Sequence, residues 1–189
     1  MFAFIGTIIP AKGLHVLIRA FNEIKNDAAE LKIYCKMKDY TGFEGYLQFL
    51  LQSIKNKNIK FMDEFRHDSV VTIYKDLDVL VVPSIWQENH PFVIREAFLF
   101  KKPVVASRTG GITEMIKDGV NGLLFNAGNS GDLKEKMEYI INNPEILDTF
   151  SRNSGSVKDI KDDVQELEEF YGKLSERRVC LGEPYELVK

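Results

Sequence analysis

Short runs of apolar residues alternate along this chain with longer stretches in which apolar positions recur every three or four residues. The runs are "FAFIG" (2–6), "LKIYC" (31–35), "IKFM" (59–62), "DVLVVP" (78–83), "PVVAS" (103–107) and "GLLF" (122–125), and each predicts a β-strand. Most are continuously apolar rather than alternating, as strands are when helices cover both faces of their sheet. In "GLHVLIRAFNEIKN", Leu14, Leu17, Ile18, Phe21 and Ile24 fall on one stripe and predict a helix. A second helix is expected over "FEGYLQFLLQSIKN", with Tyr46, Leu47, Phe49, Leu50 and Ile54 facing inward. Others are expected over "SVVTIYKD", "FVIREAFLF" and "GITEMIKDG", the last two turns long and ended by Gly119. Regular alternation of strand and helix implies parallel strands joined by right-handed crossovers. The expected fold class is therefore α/β, a doubly wound parallel sheet of about six strands.

Beyond Phe125 the strand pattern stops. Consecutive helices are expected over "NSGDLKEKMEYIINNPEILDTFSRNSG" and "VKDIKDDVQELEEFYGKLSERR", with Ser130 and the pair Asn143, Pro144 marking starts. The final "VCLGEPYELVK" carries no clear signal. The expected organisation is a domain over residues 1–155, with a helix and tail over 156–189 belonging to it.

Composition narrows the partners. With 189 residues and a net charge of -3, and with Lys and Arg scattered, the chain has no footprint for nucleic acid. No apolar run is long enough to span a bilayer. The opening "MFAFIG" is too short for a signal peptide. Two cysteines, Cys35 and Cys180, support neither a disulfide framework nor a zinc site, so a reducing, cytoplasmic setting is expected.

In an open parallel sheet, ligands bind outside the carboxyl ends of the strands. Three loops expected there carry unusual residues: "GTIIPAKG", "SIWQENHP" and "SRTGG". The first fails as a Walker loop, because Lys12 precedes Gly13, and it lacks the dinucleotide G-x-G-x-x-G. What remains is a cation beside a helix start, either an anion site or a solvated lysine next to a turn glycine. In the second loop, Pro91 suits a helix start, where its missing amide hydrogen is not needed. The amides of Phe92 and Val93 would then face outward as a receptor for phosphate oxygens. Glu96 could hold the vicinal diol of a ribose, and Glu88 could grip hydroxyls of a second sugar. Spacing alone decides nothing, since Glu168 and Glu176 repeat the interval of eight in a helix with no other site feature. Trp86 and His90 are ambiguous, since each such residue is more often a packed or exposed loop residue than a ligand contact.

Taken together, the loops resemble the C-terminal, nucleotide-sugar-binding domain of GT-B glycosyltransferases of the family 4 (group 1) class, from Phe2 to about Phe150. The resemblance rests on "FIGTIIPAKGLHVLIRAF", on the E-x7-E element "ENHPFVIRE", on "EAFLFKKPVVASRTGGITEMIKDGVNGLLF", and on their order. It implies a Rossmann-like half of a GT-B fold and a retaining, metal-independent hexosyltransferase. The donor would be a nucleoside-diphosphate sugar, with no cofactor. Lys12 and Glu88 would be catalytic, Lys12 at the donor pyrophosphate and Glu88 at the hydroxyls of the transferred sugar. Backbone around Pro91, Phe92 and Val93 would bind phosphate and Glu96 the ribose, with Gly6, Thr7, Asn89 and His90 completing the donor site. The loop at about Asp63 to Phe65 would border the base.

Two departures from the family pattern stand out. Thr7 occupies the place of a frequent arginine, a loss of roughly 1.5–3 kcal/mol in charge-assisted bonding. "CKMKD" also replaces a glycine-rich turn after the second strand. A complete GT-B enzyme has a second, N-terminal domain that binds the acceptor. That domain is expected as a partner, in the same full-length chain or as a separate subunit, and transfer is not expected without it. Membrane contact, at the inner face, stays open because the acceptor would engage mostly that half. Two other readings stand beside this one: a non-catalytic nucleotide-sugar-binding subunit or scaffold, and a domain like that of sugar-nucleotide epimerases.

Overall fold

In the computed structural model, residues 1–62, 70–155 and 160–181 are described. Six strands form one parallel sheet: β1 (Phe2–Ile5), β2 (Leu31–Tyr34), β3 (Ile59–Met62), β4 (Val79–Val82), β5 (Val104–Ser107) and β6 (Gly122–Phe125), in the order β3-β2-β1-β4-β5-β6. This is the doubly wound α/β arrangement expected from the pattern. Phe2, Phe4, Val79, Val81, Val105, Leu123 and Phe125 enter one core cluster. The alternate positions Ala3, Ile5, Leu80, Val82, Val104 and Ala106, which the pleat turns to the opposite face, are equally buried. Burial on both faces explains why these runs do not alternate.

Helices α1 (Leu14–Asn22), α2 (Tyr46–Ser53), α3 (Val70–Asp76), α4 (Phe92–Leu99), α5 (Ile112–Met115), α6 (Ser130–Asn142) and α7 (Ile146–Asn153) complete the unit Met1–Gly155. The stripe of α1 is buried as expected, with Leu14, Leu17, Ile18 and Phe21 fully inside. Asn22 ends that helix by donating to the Ser53 carbonyl and accepting from the amides of Lys55 and Asn56, which ties α1 to the chain entering β3. The second unit, Ser156–Lys189, contains α8 (Ile160–Leu181).

Two expectations need correction. Phe49 was expected inward, but it is 51% exposed, and Leu50 is the buried residue of α2. Consecutive helical positions differ by about 100°, so one narrow contact with the core takes Leu50 and leaves Phe49 stacked on Tyr46 at the surface. The helix expected over "GITEMIKDG" is a single turn. Ile116 leaves it in extended geometry and is buried, and Asn121 takes over the backbone there. Its Oδ1 accepts from the Lys117 amide at 2.8 Å and its Nδ2 donates to the Met115 carbonyl at 3.1 Å. A local side chain that satisfies these groups removes the reason to continue the helix.

The strand order reverses between β1 and β4, the kind of switch point at which a parallel sheet opens a crevice. The β1–β4 ladder runs only over Phe2↔Val79 and Ala3↔Leu80, whereas β1 and β2 stay paired to Ile5↔Tyr34. The bridged ladder between β1 and β4 therefore stops short of their carboxyl ends, where the loops that follow both strands emerge.

Candidate functional site

A cleft of about 230 Å³ sits at the carboxyl ends of β1 and β4, lined by Phe4, Ile5, Val81 and Val82 of the strands. Its rim carries Gly6, Thr7, Lys12, Ser84, Glu88, Pro91, Phe92 and Val93. Seven of these eight were singled out in the sequence; Ser84 was not.

Three loops are locked together around it. After β1 the chain makes a 3-10 turn over Pro10–Lys12, and Gly13 then begins α1 with φ 70°. A Cβ on Gly13 would lie 1.8 Å from the Pro83 carbonyl oxygen, so only glycine lets the loops after β1 and β4 meet. The Ile85 amide donates to the Ala11 carbonyl at 2.9 Å across that contact. On the other side, the Gly111 amide donates to the Glu88 carbonyl at 2.7 Å. A Cβ on Gly110 would stand 2.4 Å from the same oxygen. Lys12 and Glu88 thus sit on backbone fixed from both sides.

The two side chains are joined. Lys12 Nζ donates to Glu88 Oε1 at 2.7 Å, and the buried Ser84 hydroxyl donates to the same oxygen at 2.9 Å. The lysine side chain is 34% exposed and the glutamate 14%, so the carboxylate belongs to the more enclosed side chain of the pair. The sequence reading gave these residues separate ligand contacts, and here each is the other's partner. Glu88 Oε2 has no donor among the described residues.

Pro91 is in extended geometry (φ -61°, ψ 118°), and α4 starts with Phe92, so the proline is the residue before the helix rather than its first. Among the described residues the amides of Phe92 and Val93 find no acceptor, as expected at a helix start. Both residues line the cleft. The Phe92 side chain is 76% exposed, and Trp86 in the same loop is 65% exposed. Asn89, His90 and Glu96 do not line the cleft. Asn89 and His90 are exposed beside it. Glu96 lies one turn into α4, where Tyr74 of α3 donates to its Oε2 at 2.8 Å. Burial, the neighbouring Glu96 charge and that hydrogen bond all push the Tyr74 hydroxyl far above its ordinary value, so it stays a proton donor. The base-bordering loop expected at about Asp63 to Phe65 lies outside the described residues.

Sequence reasoning missed Ser84 and Tyr74. The serine had a faint signal, a hydroxyl directly after a strand end in "VVPS". Tyr74 had none, because its partner is 22 residues away on another helix. Among the described residues no group of His, Cys, Asp and Glu could hold a metal ion, and no helix is long and apolar enough to cross a membrane. Cys35 is buried, which pushes its thiol up to about 12 and leaves it unreactive at neutral pH.

Between α1 and α2, His15 Nδ1 and the Tyr46 hydroxyl are 2.7 Å apart. Burial first, then Arg19, holds His15 below its ordinary value. The unfolded chain therefore binds this proton more readily than the folded one. Stability should be complete above about pH 6.5, the unperturbed histidine value, and should fall as pH drops through the lowered folded value. Urea midpoints at pH 7.5 and 5.5 should differ less in His15→Gln than in the parent. An equal difference would clear His15 of this role.

Comparison with known proteins agrees with the fold. The family described as glycosyl transferases group 1 matches residues 1–157. An uncharacterised glycosyltransferase of Methanocaldococcus jannaschii, MJ1178, is 34% identical over 152 residues, covering 79% of this chain and 40% of that protein. The crystal structure of Anabaena HepE in complex with UDP and glucose superposes with a TM-score of 0.79 at 26% identity, covering 90% of this chain and 47% of HepE. The C-terminal domain of the group 1 glycosyl transferase LpcC from Francisella tularensis shares the fold, with a TM-score of 0.68 at 22% identity, and 80% of that domain is covered. The chain therefore spans less than half the length of MJ1178 and HepE, with the Rossmann-like sheet of a GT-B fold, and it belongs to the group 1 glycosyl transferases.

Proposed function

We propose that this chain is the donor-binding half of a retaining glycosyltransferase that moves a sugar from a nucleoside diphosphate to an acceptor. One observation carries the reading: at the switch point a cation, a partly buried carboxylate and two unpaired helix-start amides border one small cleft. A diphosphate is the ligand that needs all the donors at once. In transfer, the bond from the anomeric carbon to the diphosphate oxygen breaks and its electron pair leaves with the diphosphate. The acceptor hydroxyl oxygen bonds that carbon on the same face, and its proton passes to the departing diphosphate oxygen. Charge grows on the leaving group, and Lys12 together with the amides of Phe92 and Val93 would stabilise it, the electrostatic contribution that usually dominates such chemistry. Glu88 would accept from hydroxyls of the transferred sugar through Oε2, and Glu96 from the ribose. Gly6 and Thr7 leave room for the phosphates at the end of β1. HepE, which shares this fold, is seen with UDP and glucose.

The reaction needs no metal in this proposal, because lysine and amides supply the positive charge. We also propose that transfer requires an acceptor-binding part, since the relatives are more than twice the length matched. Calorimetry with UDP, GDP and ADP at up to millimolar concentration tests donor binding. At least one should bind and raise the melting temperature, by the usual linkage of ligand to the folded state. Silence from all three would remove the donor reading. Efficient transfer by the chain alone would remove the requirement for a second part. A product other than transferred sugar, an epimerised nucleotide sugar, would favour the epimerase alternative.

A further inference from the structure

Glu96 is not free to choose its orientation. Tyr74, 1% exposed, lies on α3 with its ring stacked on Phe100 at 5.2 Å and 5° between planes. Its hydroxyl donates to Glu96 Oε2 at 2.8 Å and is 3.2 Å from the Val93 carbonyl oxygen. A stacked ring that is also buried has almost no freedom, so the hydroxyl is a fixed point. The carboxylate hangs on that point by one oxygen, and no described residue donates to Oε1. The same hydroxyl touches the first turn of α4, whose opening amides face the cleft. The turn itself is held by the helix that follows it, so the bond that depends on the hydroxyl is the one to the acid that would meet the ribose.

We infer that Tyr74 is the positioning residue for ribose recognition: it pins Glu96 through Oε2 so that Oε1 is presented to the hydroxyls of a nucleoside. This rests on the donor reading above. A glutamate side chain has three rotatable bonds, and an acid left to sample them would hold a diol weakly. Pre-orientation removes that ordering loss at the moment of binding. Ser84 does the corresponding work for Glu88, donating to Oε1 and leaving Oε2, so both acids of the element are held by a buried hydroxyl from another part of the chain.

The test is Tyr74→Phe, which keeps the ring and its stacking and deletes only the hydroxyl. Affinities are measured for UDP, GDP and ADP, for their 2′,3′-dideoxy counterparts and for inorganic pyrophosphate. The readout is the ratio of ribo to dideoxy affinity within each variant, which a general loss of stability does not alter. The parent should prefer the ribo form by about tenfold, the size of a hydrogen bond to a charged group. Tyr74→Phe should bring the ratio to within about threefold of unity while pyrophosphate binding stays within about twofold. Glu96→Gln should do the same, and the double variant should lose no more than Glu96→Gln alone. A full ribo preference in Tyr74→Phe, with Glu96→Gln having lost it, would overturn the inference and leave the donor reading intact. A ribo preference untouched by Glu96→Gln would likewise overturn the inference alone, and no binding of any nucleotide would overturn both.

Discussion

Gly111→Ala should be among the most damaging single-methyl changes in the molecule. The added Cβ would stand 1.5 Å from the Asn89 carbonyl oxygen and 2.6 Å from its carbon, which no side-chain rotation can relieve because the obstacle is backbone. Either Gly111 or the segment Glu88–Asn89 must move, and the 2.7 Å bond from the Gly111 amide to the Glu88 carbonyl breaks with it. Overpacking of this kind, joined to a lost buried hydrogen bond, costs about 2–4 kcal/mol. For a unit of this size that is a fall of about 5–15 °C in melting temperature. Gly119→Ala is the control. Its φ is positive, 74°, where Gly111 sits at -65°, and nothing lies within 4 Å of the new Cβ. Its cost should be the conformational penalty alone, about 1–2 kcal/mol. Calorimetric melting of both variants checks the difference. A loss at Gly111 no larger than at Gly119 would mean that the Glu88–Asn89 segment yields easily and that its contact with Gly111 does not hold this corner.

The same contact bears on the site, because Glu88 is attached to the segment that must yield. Surviving folded Gly111→Ala should bind UDP, GDP or ADP at least tenfold more weakly than the parent, even though Gly111 does not itself line the cleft. The loop after β5 belongs to the binding machinery by support.

What could be read from the chain and what could not divide along a physical line. Strands such as "IKFM" and "GLLF" were legible to the residue, because a buried parallel strand needs a short apolar run and punctuation on both sides. The convergence of the loops after β1, β4 and β5 followed from topology alone. Lys12, Glu88 and Pro91 were visible as unusual residues at strand ends. Their partners were not. That Lys12 and Glu88, 76 residues apart, bond each other depends on how two loops are knitted at Gly13 and Ile85. Tyr74 looked like any apolar residue of a short helix, and its hydroxyl acquired a role only when α3 was laid against α4. The one-turn α5 was misread for a related reason. Asn121 competes for the backbone from outside the window in which helical pattern is judged.

Lys12→Ala should weaken UDP and inorganic pyrophosphate alike, by about 10–100-fold. The lower figure corresponds to losing one charge-assisted hydrogen bond and the upper to losing two, at roughly 1.5 kcal/mol each. Its 2.7 Å bond to Glu88 adds a second consequence. Without the ammonium, the carboxylate is left in the cleft wall with only the Ser84 hydroxyl, and a bare negative charge faces the incoming phosphates. Part of the loss is therefore Glu88 acting against the ligand. Lys12→Ala combined with Glu88→Gln should recover about three- to tenfold over Lys12→Ala alone. Glu88→Gln by itself should leave pyrophosphate binding unchanged or tighter, because it releases the lysine from a competing anion. Titration calorimetry on the four proteins closes the cycle, and raising salt from 50 to 500 mM should shrink the coupling where the groups are open to solvent. If Lys12→Ala leaves pyrophosphate affinity unchanged, the lysine is a strut for Glu88 and not a phosphate ligand. If the double variant is no better than Lys12→Ala, the carboxylate does not face the phosphates. A ligand of two charges entering a cleft whose cation is already engaged must displace or share it, and the sign of this coupling shows which.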